Sequence, residues 1–274
     1  MNKRIALSGL ILFLIGVIGL FVMLLTTGGF SMEKKPIAME KVIEINDLEQ
    51  VTVQSTTIDL HYQSHDKENV LVKLSGDVSE EIEVDIRAEQ KGKTLEITID
   101  EDNWTLFSIF RFLDVEATIF LPNNSVKALD LQTTTGDVYV EEFDGAEIMA
   151  DAVTGDVNIA HFNGTMMKGE TTTGKLSLTD VVADTRLIST TGDVEFNGKL
   201  TRALDISTTT GSVLIRVNPT PSEYKLVLDS TTGDFVIDWP ELQVQNDGHY
   251  THSTGDGPKI IVGTTTGDVS LLTK

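Results

Sequence analysis

The sequence predicts an all-β body, a β-solenoid of about 19-residue repeats, preceded by one transmembrane helix. Three observations carry that prediction. The phrase Thr133-Thr134-Thr135-Gly136-Asp137-Val138 returns around Gly155, Gly174, Gly192, Gly211, Gly233 and Gly267, at successive spacings of 19, 19, 18, 19, 22 and 34. Apolar residues keep fixed offsets from each glycine. An almost unbroken apolar run fills residues 5–25.

Two residues after the glycine stand Val138, Val157, Leu176, Val194, Val213, Phe235 and Val269, and four after it Val140, Ile159, Leu178, Phe196, Ile215, Ile237 and Leu271. At minus five and minus seven come Leu131 with Leu129, Ile206 with Leu204, Leu228 with Leu226, and Val262 with Ile260. Alternation with period two on both sides of a turn reads as strand, tight turn, strand. One such unit cannot bury its apolar stripe, whereas stacked units share a core. The glycine is expected at positive φ, where a β-carbon is penalised. The aspartate after it is expected to accept backbone N–H bonds in the turn, and the threonines to sit on exposed strand positions. A second turn follows each pair, as at Phe143-Asp144-Gly145 and Phe162-Asn163-Gly164.

From the amino terminus, residues 1–4 read as a basic cytoplasmic tail, 5–25 as the anchor, 26–41 as a linker, 42–126 as a β region with degenerate repeats and 127–274 as the repeat solenoid. Twenty-one apolar residues at about 1.5 Å each cover roughly 30 Å, a bilayer core. A cleaved signal has a shorter apolar region and a small-residue cleavage site, so an uncleaved single span is expected. The basic tail favours a body on the extracytoplasmic side of the cell membrane. Strands are expected at 42–45, 51–62, 70–74, 82–88 and 95–99. The stretch from Val53 to Tyr62 aligns residue for residue with Leu131 to Val140, Ile58 standing where glycine is expected. That offset of 78 residues is about four repeats, which predicts degenerate coils in between. A strand ending at Lys274 should leave an open edge that another chain could extend.

The chain has no cysteine, which excludes disulfides and thiolate metal sites. A net charge of -21 argues against nucleic acid and anionic lipid as partners of the body. The segment from Trp104 to Leu113 concentrates aromatic residues in an aromatic-poor chain. It is either the cover of the first coils or a docking lip for a membrane partner, with Trp104, Phe107, Phe110, Arg111 and Phe112 as contact residues.

Stacking aligns Asp137, Asp156, Asp193, Asp234 and Asp268 along one edge. Carboxylates at strand spacing repel, so they need backbone donors, gaps or cations such as Ca2+. Lys175 and Ser212 interrupt the row, which favours turn caps and no cofactor. His249 and His252 with Asp247 and Asp256 form a second candidate metal set. No phosphate loop, nucleophile elbow or histidine triad is present, and no catalytic residue stands out. A polysaccharide-acting site around Lys175 and Asp156 is the enzyme alternative.

The repeated Thr-Thr-Thr-Gly-Asp-Val phrase behind a basic tail and a single span resembles the bacterial TTTGD β-strand-repeat family described as candidate adhesins, over roughly residues 40–274. The arrangement is similar to the LiaG-type membrane-anchored proteins of Gram-positive bacteria, associated with a cell-envelope stress response. The resemblance implies a non-catalytic interaction scaffold at the envelope whose partner is an envelope membrane protein or a cell-wall polymer. An adhesin or wall-polymer binder is the alternative suggested by the long polar surface. No catalytic residues carry over from the family.

Overall fold

A computed structural model describes residues 34–80, 82–102, 113–123 and 126–273. The expected tail, the anchor over 5–25 and the contact residues Trp104, Phe107, Phe110, Arg111 and Phe112 lie outside them. Among the described residues there are 21 strands and no helix.

The middle of the chain folds as the repeat dictates. Strands β8 (Ala128–Thr135), β10 (Glu147–Thr154), β12 (Asn163–Thr173), β14 (Val182–Thr191) and β16 (Leu204–Thr210) stack in parallel as a first face. Their partners β9 (Val138–Val140), β11 (Val157–Ala160), β13 (Leu176–Thr179), β15 (Val194–Gly198) and β17 (Val213–Val217) stack as a second face. One strand from each face and the two corners joining them make a coil. Leu129, Leu131, Val138 and Val140 and their counterparts point inward and are buried in one continuous core. At the second corner the rings of Tyr62, Phe143 and Phe162 follow one another up the core edge, the first pair edge to face at 5.4 Å and the second stacked at 6.1 Å.

The motif corner explains its own composition. Gly155 and Gly174 have φ of 146° and 152°. A β-carbon on Gly155 would lie 1.9 Å from the Gly136 carbonyl oxygen, and one on Gly174 would lie 2.0 Å from that of Gly155. Both the dihedral and the approach of the next coil therefore demand glycine. The glycine N–H donates to the threonine carbonyl of the adjacent coil, from Gly155 to Thr173 and from Gly174 to Thr191, both at 2.9 Å. The hydroxyl residue three positions before the glycine is not exposed as expected: Thr133, Thr171, Ser189, Thr208, Ser230 and Thr264 are buried, and Ala152 takes that place before Gly155. Thr171 donates to the Gly155 carbonyl at 3.1 Å and Thr264 to that of Gly211 at 3.3 Å, satisfying an acceptor in a bend.

The two ends depart from chain order. Strand β2 (Gln50–Ser55) pairs directly with β8 in the register the sequence alignment gives, Val53 opposite Leu131. β3 (Asp59–His65) likewise pairs with β9. The 78 intervening residues are thus one step of the stack, not four. They form a single further coil, β6 (Thr94–Asp102) below β2 and β7 (Leu113–Pro122) below β3. Antiparallel strands close that end: β5 (Glu83–Lys91) on β6, β4 (Asn69–Ser79) on β7, and β1 (Lys34–Glu44) on β4. Residues 34–41, expected as linker, are edge strand because β4 offers them a free ladder, with Lys34 opposite Ser79.

At the other end β20 (Lys259–Thr266) pairs with β16 and β21 (Val269–Thr273) with β17. The earlier strand β18 (Lys225–Trp239) then lies on the far side of both. It is closed by β19 (Leu242–Ser253), antiparallel along β18 on both faces. The open edge expected at the end of the chain is therefore absent, since β21 is paired on both sides; the outer strand is β19. Nine strands of the first face run in stack order β6, β2, β8, β10, β12, β14, β16, β20, β18. Eight steps at about 4.8 Å give a body roughly 40 Å long.

Candidate functional site

The aspartate row is a ladder of caps, each reaching across to the neighbouring coil and not into its own turn. Asp59 Oδ1 accepts the N–H of Asp137 at 2.8 Å, Asp137 Oδ1 that of Asp156 at 2.7 Å, and Asp156 Oδ1 that of Lys175 at 2.7 Å. Asp193 accepts from Ser212 at 2.8 Å and Asp268 from Asp234 at 3.0 Å. Lys175 and Ser212 receive a cap through their backbone and need no carboxylate of their own for it. A backbone donor beside Asp59, Asp137, Asp156, Asp193 and Asp268 relieves the repulsion that equal charges at strand spacing would otherwise produce, and Asp234 stands in the row as the recipient of a cap.

Lys175, His249 and Asp256 among the other candidate groups are committed to a neighbour. Lys175 Nζ lies 2.7 Å from Glu195 Oε2, and Arg216 lies 2.5 Å from the other oxygen of that carboxylate, holding its pKa below the usual range. Lys175 and Asp156 thus meet through backbone, the Lys175 N–H donating to the Asp156 carboxylate. His249 Nδ1 is 2.5 Å from Asp229 Oδ1, while Asp256, 96% exposed, pairs with Lys225 at 2.8 Å. That second metal set is not brought together, and the Asp247 side chain lies outside the described residues. His61 stacks on Tyr139 at 4.5 Å; the Tyr139 hydroxyl is pushed up to about 12 by burial and by its 2.8 Å bond to Asp137. Among the described residues no three His, Asp or Glu gather as a metal site.

A different region of the surface is concave. An open groove of about 690 Å³ crosses the outer side of the first face over β6, β2, β8, β10, β12 and β14. Its floor is one outward row in ladder register: Gln54, Gln132, Asp151, Glu170 and Ile188. Beside it runs a rim of Thr56, Thr134, Val153, Thr172 and Thr190, and Asp100 from β6 lies at one end. Gln54 Nε2 donates to Gln132 Oε1 at 3.1 Å, and Gln132 Nε2 donates to the two oxygens of Asp130 at 3.1 and 3.0 Å. Because a carboxylate only accepts, Asp130 fixes the orientation of the Gln132 amide, which in turn fixes that of Gln54.

Asp130 is 7% exposed, and burial raises its pKa against the opposing Gln132 bond. Burial also raises Asp151, with Lys168 pulling the other way and Glu170 and Asp130 adding to the rise. Lys168 Nζ pairs with Glu170 Oε1 at 2.9 Å. Asp151 Oδ1 is screened from solvent and has no hydrogen-bond partner among the described residues. That oxygen is desolvated without compensation, in keeping with the raised pKa, while the residue itself lines the groove floor.

A family model described as Toastrack DUF4097 matches residues 48–259, from just ahead of β2 to the start of β20. The chain belongs to that family. No curated protein matches it. Among solved structures, this Toastrack chain is similar to a candidate adhesin from Bacteroides fragilis, at 14% identity over 86% of this chain and 97% of the other, with a TM-score of 0.48. A candidate cell adhesion protein from Clostridium sporogenes follows at 15% identity, covering 88% and 100%, TM-score 0.41. A candidate adhesin from Parabacteroides distasonis shares 12% identity over 87% and 97%, TM-score 0.38.

The repeat phrase does not single out the groove floor, because those residues occupy the address that the Toastrack repeat leaves free. Four positions before the glycine the chain carries Gln132, Asp151, Glu170, Ile188 and Ser207 in turn. That succession of unlike residues, at an outward position of an otherwise regular unit, is the signal that could have found them.

Proposed function

We propose that the chain is a non-catalytic binding module of the adhesin or wall-polymer-binding class, held at the cell membrane by residues 5–25 with its body outside. The observation that supports it is the division of labour over the surface. The repeated Thr, Gly and Asp groups are engaged in closing corners, whereas the groove on the first face presents unlike polar groups to solvent. Affinity in such a site comes from many side-chain hydrogen bonds along a rigid sheet, without a nucleophile or a metal. The anchor would place the β1 end of the stack next to the membrane and the β19 end roughly 40 Å along it.

Retention by purified cell walls or surface glycans tests this reading, with the full-length protein in detergent. Retention that is lost on changing groove residues is expected; no retention on any wall or host glycan preparation sinks the reading. The finer assignment, an interaction scaffold in an envelope stress response, rests on the resemblance to LiaG-type proteins. Deleting residues 31–274 should then alter envelope-stress signalling and antibiotic tolerance; unchanged responses would remove it.

A further inference from the structure

The groove has a defined chemistry, and with it a defined class of ligand; the argument rests on the binding-module reading. Its lining includes Asp100, Asp151 and Glu170 and no lysine or arginine. The nearby cations are already committed, Lys168 to Glu170 and Arg87 to Asp100. With Asp100 and Glu170 paired in this way, Asp151 is the lining carboxylate that has no salt bridge among the described residues, and it is the point of the groove complementary to positive charge. Between the polar groups stand Val153, 51% exposed, and Ile188, giving apolar contact in an otherwise polar channel.

The direction of the groove narrows the choice further. It crosses six strands, five steps of about 4.8 Å or roughly 24 Å, perpendicular to the strands. All six are paired on both sides, so a peptide crossing them finds no free backbone edge to extend as a strand. What the groove offers is a repeated set of hydroxyl, amide and carboxylate groups, one of each row per step. A ligand that uses it carries donors on a similar repeat and has apolar C–H surface between them. An extended 1,4-linked sugar chain advances by about one strand spacing per unit and alternates hydroxyl edges with C–H faces.

We propose that the groove over β6 to β14 binds a linear glycan bearing free amino groups, a glucosamine-type chain, with the Asp151 carboxylate on the groove floor receiving an ammonium group and Gln132, Glu170 and Thr172 the neighbouring hydroxyls. Asp151 sits midway along the floor, between Gln132 and Glu170 in the ladder. Val153 on the rim beside it meets the sugar's C–H face.

The test is calorimetric titration of the full-length protein in detergent with three probes: a glucosamine hexamer, its fully N-acetylated counterpart and a hexalysine peptide. The glucosamine hexamer is expected to bind, and the acetylated chain about tenfold more weakly because it lacks the ammonium. Asp151→Asn should reduce hexamer affinity by about tenfold. Val153→Arg, an exposed change that leaves the core untouched, should abolish it by placing a cation on the rim. Glu195→Gln, on the second face, should leave it unchanged. Equal binding of hexalysine with the same sensitivity to Asp151→Asn would overturn the glycan in favour of a cationic peptide. Absence of hexamer binding, or binding indifferent to both Asp151→Asn and Val153→Arg, would overturn the site. If cell walls still retained the protein in that case, the binding-module reading would stand without this ligand; if they did not, both would fall.

Discussion

The middle of the stack and its two ends are made from the same coil but assembled by different rules. From β8 to β17 each coil lies on the one before it, and the glycine spacing of 18 or 19 residues is also the spacing in space. At the ends, sequence order and stacking order part company. The coil of β2 and β3 sits between β8–β9 and the later β6–β7, and the coil of β20 and β21 sits between β16–β17 and the earlier β18. The repeat phrase thus specifies the shape and register of a coil but not which coil becomes its neighbour. Closing strands decide that: β5, β4 and β1 at one end and β19 at the other pair antiparallel and stop further addition.

The sharpest way to break this contrast is to remove one coil from each region. Excising residues 147–165 takes out one unit of the middle and brings Met166 to the place of Glu147, its ladder partner. A shorter stack that still unfolds in one cooperative transition is expected, with a lower Tm. Deleting residues 259–274 removes a coil that lies between two others and uncovers the core on both sides of the gap. Loss of any cooperative thermal transition is expected there, and calorimetry of the two deletions distinguishes them. If the second deletion melts like the first, the stacking order is wrong.

Point changes sharpen the same contrast at smaller scale. Gly174→Ala sets a β-carbon into the Gly155 carbonyl at positive φ and should cost roughly 3–5 kcal/mol by denaturant unfolding. Gly248→Ala, in the closing strand with φ of 78° and nothing within 4 Å, should cost about 1 kcal/mol. Asp156→Ala leaves the Lys175 N–H without its acceptor, a loss of about 1–2 kcal/mol. The smallest effect belongs to the groove. Asp130 and Asp151 titrate above the ordinary 3.8 when folded, so as pH rises from that value the unfolded chain releases these protons first and stability falls. Asp151→Asn should therefore raise Tm by about 1–2 °C at pH 7, with the gain vanishing below 3.8. A gain that persists at low pH would show that the carboxylate's charge is not its cause.

Much of this was legible in the residues, and the gaps have physical reasons. Period-two apolar positions after the glycine place the second-face strands of the middle and those before it place β8 and β16, while the match of Val53 with Leu131 gives the right register at a distance of 78 residues. What that match could not convey is adjacency, because the same phrase fits any coil face equally well. Residues 34–41 lack alternation because an edge strand is open to solvent on most of its length, and Val42 is itself 56% exposed. The inward threonines were hidden by their polarity: Thr171 is accommodated in the core by one carbonyl in the adjacent bend. The groove was invisible for the opposite reason, since function sits where the repeat does not repeat.

The inserted coil of β20 and β21 also sets a timetable. Solenoids that stack in chain order can grow one coil at a time as the polypeptide emerges, each new unit resting on a finished one. Here residues 225–253 emerge before the coil that supports them and must wait for residues 259–273 to slide between them and β16–β17. Closure of that end is a late, long-range event, slow in the way that all distant strand pairings are slow. Until it happens, β16 and β17 have free ladders facing outward, and a chain halted during export would present them to its neighbours.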